Sequence, residues 1–282
     1  MSRPFNSELV IEEKISEATL RAYHVGFEQN RFRLQPLVDV VCDAILEFAL
    51  GYDKSINIPP IEIRDKLREA ALRVYDTDKY KKRGEFGELI LHLLLRDFCE
   101  TTPLISKIYF KDTNNSTVHG FDAVHITIKE NEKKLWLGES KLYENGQDGV
   151  KSLVEDLISH TKANYLRKEF MFITPKIPTS TPAIEHWKKL MHRHQTLESI
   201  YQGICIPMVC TYSSEIFRSH SAATQQYLDA FIKECRSLKS VFDKGSKKVT
   251  TNIDAILMLL PVPCKNELIK ELHKRLKAMQ SI

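Results

Sequence analysis

The sequence lacks the short motifs that assign several common functions directly. It has no G-x-x-x-x-G-K-[ST] phosphate loop and no G-x-G-x-x-G turn, which argues against ATP hydrolysis or dinucleotide binding by this chain. Its six cysteines are scattered without a C-x-x-C pair, which argues against a disulfide framework and a zinc ribbon. Neither a zinc finger nor a clear helix-turn-helix is recognisable, so the sequence shows no module for reading bases.

Long hydrophobic runs are also lacking. No run approaches the roughly 20 apolar residues that cross a bilayer, and the N-terminal stretch MSRPFNSELVIEEK is too polar for a signal peptide. We therefore expect a cytoplasmic protein with no membrane partner. The net charge of +4 permits an anionic partner without requiring one. With 282 residues, of which 43% are hydrophobic, the chain can bury a large core.

Apolar periodicity predicts helices first, then a β-meander, then alternating strands and helices. The first 34 residues give no firm assignment, although residues 12–30 could form a short helix. The expected helices cover residues 37–50, 61–76, 84–99, 149–168, 182–194, 223–242 and 265–276. The expected strands cover residues 104–110, 121–128, 134–143, 170–174, 203–212 and 253–263.

This order predicts an α/β fold with a mixed β-sheet core flanked by helices and a helical N-terminal part. The connection from Gly51 to Pro60 is the one plausible boundary that the sequence shows. It would separate a helical N-terminal extension, residues 1–60, from a main domain, residues 61–282, unless the two form one continuous domain.

Charged residues at the ends of two apolar strands predict a chemical site. If the hairpin turn is centred between Glu130 and Asn131, paired positions sum to 261 and Asp122 lies opposite Glu139. Two carboxylates so close repel each other unless a cation lies between them, and hard oxygen ligands suit Mg²⁺ or Mn²⁺. Lys141 shares a face with Glu139, where it can meet a phosphate or a water, and nearby cations would lower its pKa. A slip of one residue would place the two carboxylates on opposite faces.

The third expected helix supplies another carboxylate. Glu88 is surrounded at helical spacing by Leu91, His92 and Leu95, so it lies within an apolar helix and needs a partner. We expect it to be an extra metal ligand or to orient one. Glu85, one turn earlier, is the alternative.

A purely structural interpretation of these residues is open as well. Asp122 could cap the entrance of its strand, and Glu139 with Lys141 could form an exposed pair on an edge strand. The apolar residues around the pair weaken this interpretation, because an edge strand should be more polar. Ser140 should face away from the metal. The helix after the hairpin carries three further polar residues that form no recognisable motif: His160, Lys162 and Tyr165.

An inward Glu88 on a helix, Asp122 on a strand, and Glu139-x-Lys141 on its hairpin partner resemble the PD-(D/E)XK nuclease superfamily. The resemblance implies a restriction-endonuclease-like fold and metal-dependent hydrolysis of nucleic acid. It implies that Asp122, Glu139 and Glu88 hold the metal and that these three act in catalysis with Lys141. The proline of the family signature is absent, since Phe121 precedes Asp122.

More narrowly, four stretches resemble the HamA nuclease subunits of the Hachiman antiphage system, over residues 35–282. They are RGEFGELILHLLL, GFDAVHI, LWLGESKLY and ILMLLPVP, the last followed by a closing helix. The resemblance implies a Mg²⁺-dependent (or Mn²⁺-dependent) deoxyribonuclease with little sequence specificity. It would be held in check by a helicase subunit, HamB, in a hetero-complex, and would cleave DNA during phage infection. Two alternatives stay open: a non-catalytic DNA-binding or regulatory subunit of a helicase complex, and a sequence-specific restriction-type endonuclease.

Overall fold

A computed structural model describes residues 7–80, 84–106, 120–129, 132–249 and 253–282. Its strands are β1 (Glu12–Ser16), β2 (Leu20–His24), β3 (Phe27–Glu28), β4 (Arg31–Phe32), β5 (Thr102–Ser106), β6 (Ala123–Lys129), β7 (Glu132–Tyr143), β8 (Ile204–Ser213) and β9 (Asp254–Val262). Its helices are α1 (Leu34–Asp43), α2 (Ile45–Leu50), α3 (Tyr52–Ile56), α4 (Ile63–Val74), α5 (Glu85–Phe98), α6 (Gly146–His160), α7 (Ala163–Ile173), α8 (Ile184–Leu190), α9 (Leu197–Gly203), α10 (Ile216–Ser219), α11 (Gln225–Ser246) and α12 (Lys265–Gln280).

Seven strands form one mixed sheet in the order β1-β2-β9-β8-β7-β6-β5, and β3 pairs with β4 separately. The four strands β2, β9, β8 and β7 run parallel to one another. The strands β1, β6 and β5 join antiparallel to their neighbours. Strand β7 therefore lies inside the sheet, between β6 and β8.

Helices cover both faces of the sheet, which confirms the predicted α/β fold. Helices α1, α2, α4, α5 and α12 pack on one side, which we call the α5 face. Helices α6, α7, α8 and α11 pack on the other, which we call the α6 face. Neighbouring residues of one strand divide between the two cores: Met258 lies in the first and Leu257 in the second. Such alternation follows from the pleat of a strand.

The short helix considered for residues 12–30 is wrong, because this segment forms β1 and β2. Strand β2 pairs with β1 on one side and β9 on the other. Ala22 is buried on the α6 face and Tyr23 on the α5 face, so β2 shows no alternation of polar and apolar residues. The helical part of the N-terminal region begins at Leu34. The division at residue 60 stays a prediction, although β2 already belongs to the main sheet.

The strand predicted at residues 170–174 is also wrong, because residues up to Ile173 belong to α7. Phe170 and Ile173 are buried, whereas Met171 and Phe172 between them are exposed. Buried residues three positions apart, with exposed residues between them, are typical of a helix that packs one face against a core. A short apolar run does not by itself distinguish a buried strand from a helix.

The single helix predicted over residues 149–168 is two helices, α6 and α7. The hydroxyl of Thr161 donates a hydrogen bond to the carbonyl of Leu157 (2.8 Å), and its carbonyl accepts one from Tyr201 (3.0 Å). The chain turns there, so residues at the end of α6 and the start of α7 can face each other.

The remaining predicted elements are found within four residues of their expected bounds, except that residues 37–50 form two helices, α1 and α2. Residues 107–110 of the expected first meander strand, and the turn residues Glu130 and Asn131, lie outside the described residues. Within the described ranges, no helix combines the length and the apolar character that crossing a membrane requires.

Candidate active site on the β6–β7 hairpin

The hairpin has the register that its sequence predicts. Described pairs run from Ala123 opposite Gly138 to Lys129 opposite Glu132, and each pair sums to 261. The N–H of Asp122, the residue before β6, donates to the carbonyl of Gly138 (2.9 Å), which already lies opposite Ala123, so the pairing becomes irregular at this point. Asp122 therefore lies beside the Gly138–Ser140 stretch of β7, and its position directly opposite Glu139 stays a prediction. Asp122 and Glu139 are only 6% and 3% exposed.

Asp122 is held by the neighbouring strand. Its Oδ2 accepts hydrogen bonds from the N–H of Ser140 (2.9 Å) and from the hydroxyl of Ser140 (2.7 Å). Ser140 lies on the α5 face, away from Glu139 and Lys141, as the alternation of β7 predicts, and from there its hydroxyl donates to Asp122. The contact also gives Asp122 a structural role, because it joins the start of β6 to β7.

Glu139 and Lys141 each meet a residue of α6. The Oε1 atom of Glu139 lies 2.8 Å from Nδ1 of His160. The Nζ atom of Lys141 lies 2.5 Å from Oδ2 of Asp156, and both side chains are partly exposed. The suggestion that Glu139 and Lys141 form an exposed pair on an edge strand is wrong, because β7 is an inner strand and Glu139 is buried.

The surroundings of Lys141 favour its charged form. Burial lowers the pKa of Lys141, but the contact with Asp156 and the carboxylates of Glu139 and Asp122 raise it by more, so the net shift is upward. In the protein alone the carboxylates around the ammonium group determine this shift, and the lowering of the pKa by nearby cations stays a prediction.

Two aromatic rings complete the α6 side of the site. The rings of His160 and Tyr165 stack with centroids 4.1 Å apart, and Phe121 meets both of them edge-on. Burial raises the pKa of Tyr165, and so do the nearby carboxylates of Glu169, Glu139, Asp156 and Asp122. Burial lowers the pKa of His160. The carboxylates of Asp156, Glu169 and Asp122 oppose this shift, but the net change is downward. Four acidic side chains therefore gather around one histidine and one tyrosine.

Asp156 and Glu169 were not predicted as site residues. Glu169 is buried on α7 beside Gly120: a Cβ atom at Gly120 would lie 2.6 Å from Oε2 of Glu169. A signal for both existed in the sequence, because Asp156 precedes His160 by four residues and Tyr165 precedes Glu169 by four. Residues at that spacing share a helix face, but the wrong strand assignment at residues 170–174 hid α7.

Glu88 lies in the first turn of α5, which packs on the side of the sheet opposite to α6. A Cβ atom at the preceding Gly87 would lie 3.2 Å from the hydroxyl of Ser140, so this turn packs directly on β7. It packs on the α5 face, whereas Glu139 and Lys141 point to the α6 face. Both Glu88 and Glu85 are buried. The structure thus brings together Asp122, Glu139 and Lys141. Gly87, the residue before Glu88, packs against Ser140, which lies between Glu139 and Lys141 on β7.

The donor atoms suit a hard divalent cation. Mg²⁺ in proteins is usually bound by one or two carboxylates, with water and substrate phosphate completing its coordination. Asp122, just before β6, and Glu139, on β7, supply two buried carboxylates. Across the described ranges, no three His, Cys, Asp or Glu side chains stand close enough to form a ready-made metal group. The role of Glu88 as a third ligand stays a prediction.

The HamA family model matches residues 3–276 of the 282, which include all four predicted site residues and both N-terminal strands. No curated protein matches the chain.

Proposed function

The chain belongs to the HamA family and so to Hachiman antiphage defence, and from that premise we propose that it is a metal-dependent deoxyribonuclease. The proposal rests on one observation: two buried carboxylates, Asp122 and Glu139, both lie close enough to Lys141 to favour its charged form. A binding module has no need of buried carboxylates facing a polyanion.

Each side chain has a distinct task in this proposal. Asp122 and Glu139 would hold Mg²⁺ or Mn²⁺, which supplies charge stabilisation at the scissile phosphate. Lys141 donates hydrogen bonds to a phosphate oxygen and neutralises negative charge that develops in the transition state. His160 holds the carboxylate of Glu139, and Asp156 keeps the Lys141 ammonium protonated and in place.

We further propose that the chain acts in the cytoplasm in a hetero-complex with a HamB-like helicase, which restrains it until infection. The sequence shows no base-reading module, which supports cleavage with little sequence specificity. A second candidate function, a non-catalytic DNA-binding subunit, is favoured by the protein partners that Glu139, Lys141 and Asp122 already have.

Cleavage of single-stranded, linear duplex and supercoiled DNA by the purified chain tests the proposal. We expect loss of DNA with Mg²⁺, none with EDTA, and at least about a 100-fold slower reaction for Glu139→Gln and for Lys141→Met. Glu132→Gln, an exposed residue on the same strand, is the matched control and should retain activity. Co-expressed helicase should suppress cleavage. Retained cleavage in both site variants would refute the assignment, and folded protein without any cleavage would favour the binding subunit.

A second pair of variants separates the two helix carboxylates. Glu88→Gln should slow cleavage, whereas Glu85→Gln, buried on the same helix turn, should not. Slower cleavage by Glu85→Gln together with unchanged cleavage by Glu88→Gln would instead assign the role of third metal ligand to Glu85.

A further inference from the structure

The segment of residues 162–195, which we call the basic arm, carries a net positive charge. It contains seven Lys or Arg residues and two Asp or Glu residues, a net charge of +5, whereas the whole chain carries +4. The remaining residues are therefore slightly acidic. The seven cations are Lys162, Arg167, Lys168, Lys176, Lys188, Lys189 and Arg193.

The basic arm is folded, and most of its charge lies on the surface. Its apolar side chains anchor it to the α6 face: Leu166, Phe170, Ile173, Trp187, Leu190 and Met191 are buried. Arg167 ties its two ends together, since its guanidinium donates hydrogen bonds to the carbonyls of Arg193 and Gln195. Lys168, Lys188 and Lys189 are exposed. The arm therefore presents cations at defined positions.

This surface begins at the candidate active site. Helix α7 supplies Tyr165 and Glu169 to the site from the same arm. At the other end, His186 lies near enough to Lys133 of β7 for the two charges to interact. Lys133 precedes Glu139 by six residues, about 20 Å along the strand. That length corresponds to roughly six nucleotides of a stacked strand at about 3.4 Å each.

Two large apolar side chains are exposed between the cations of the arm. Phe172 is 52% exposed and Met171 is 72% exposed, at the end of α7. Phe172 lies seven residues beyond Tyr165, about 10 Å along the helix. An aromatic ring on a basic surface offers a stacking platform for an unpaired base, whereas the bases of a duplex keep their faces stacked on one another.

We propose that the basic arm binds an unpaired nucleic-acid strand, with its cations on the phosphates and Phe172 stacked on a base, and leads that strand to the carboxylate site. The inference rests on the proposed nuclease function and adds the form of its substrate. The positive charge of the arm, the exposed ring of Phe172 and the proximity to the carboxylate site each favour an unpaired nucleic-acid strand as the ligand.

Binding of fluorescent oligonucleotides to the full chain in EDTA, where metal-dependent cleavage is prevented, tests the inference. The single-stranded DNA should bind more tightly than the same sequence as a duplex. Phe172→Ala should weaken binding of the single strand about 10-fold or more, with little change for the duplex, and Phe172→Trp should retain it. Ile61→Ala, an exposed apolar residue two positions before α4, is the control.

Charge reversal tests the phosphate contacts. Lys188→Glu with Lys189→Glu should weaken binding and reduce the slope of log affinity against log salt by about 1.4, at about 0.7 for each phosphate contact. Lys270→Glu with Lys274→Glu, two exposed residues on α12 of the opposite face, is the matched control.

Three results would overturn the inference: equal affinity for single strand and duplex, unchanged single-strand binding in Phe172→Ala, or equal effects of the two charge reversals. If the nuclease proposal is wrong and the arm proposal is right, the result is different. The arm variants then lose binding of the single strand as expected, but the unmodified chain cleaves no DNA when Mg²⁺ is added. Cleavage that persists unchanged in the arm variants would instead refute the arm and leave the nuclease proposal standing.

Discussion

Replacement of Gly120 by alanine tests how closely the hairpin and α7 approach each other. Gly120 has a φ of +124°, a backbone conformation that L-residues rarely adopt and that costs about 1–3 kcal/mol. The new Cβ would also lie 2.6 Å from Oε2 of Glu169 and 3.5 Å from its Cδ. The buried carboxylate must therefore move, at a further cost of about 1 kcal/mol. The expected loss of stability is about 2–4 kcal/mol.

This loss converts into a measurable change in melting temperature. The entropy of unfolding is about 2.1 cal/mol/K per residue, which gives about 0.6 kcal/mol/K for 282 residues. Gly120→Ala should therefore lower the Tm by roughly 3–7 °C in thermal unfolding followed by circular dichroism. Gly84→Ala is the matched control, because no atom lies within 4 Å of its added Cβ and its φ is −94°; its Tm should change by no more than about 1 °C.

The two contributions can be separated. Glu169→Ala in the Gly120→Ala background removes the clash but leaves the backbone strain, so the cost of Gly120→Ala should shrink without disappearing. A Gly120→Ala protein that melts with the Gly84→Ala control would refute the reasoning, because neither strain nor the Glu169 contact would then be present in solution.

Three further predictions follow from the site and its surroundings. The Lys141–Asp156 contact should give a coupling energy of about 1 kcal/mol in a double-mutant cycle of Lys141→Met and Asp156→Asn, measured by urea unfolding; additive effects would contradict the contact. Burial, followed by the charge of Arg96, lowers the pKa of His125 from 6.5 to about 3. The unfolded chain therefore takes up the proton first as the pH falls, so the stability is present above pH 6.5 and is lost as the pH falls towards 3. His125→Gln should reduce the pH dependence of unfolding below pH 6 by up to about 1.4 kcal/mol per pH unit, and an unchanged dependence would exclude this role. Mg²⁺ at about 100 times its Kd should stabilise the protein by about 2.7 kcal/mol, or roughly 4–5 °C, and EDTA should reverse the effect. Glu139→Gln should abolish this shift, whereas an equal shift in the variant would place the ion elsewhere.

The hairpin site could be predicted from sequence because its geometry is local. The polar turn set the register of residues 123–129 with 132–138, and the period of two in a strand put Lys141 on the same face as Glu139. The long amphipathic helices could be predicted for the same reason, since each shows its buried stripe in its own residues. Strand β2 and helix α7 could not be predicted from the sequence. Strand β2 is buried on both sides and so shows no alternation, and the apolar run in α7 is too short to reveal a helical period.

The sequence by itself determined the pair of carboxylates, the lysine beside them and the order of most helices and strands. Only the tertiary structure decided what surrounds that pair: Asp156 and His160 from α6, Tyr165 and Glu169 from α7, and Glu88 on the opposite face. Spacing within one element follows from the geometry of the backbone. The side on which a helix packs, and the residues it brings to a distant strand, depend on the burial of apolar surface over the whole chain.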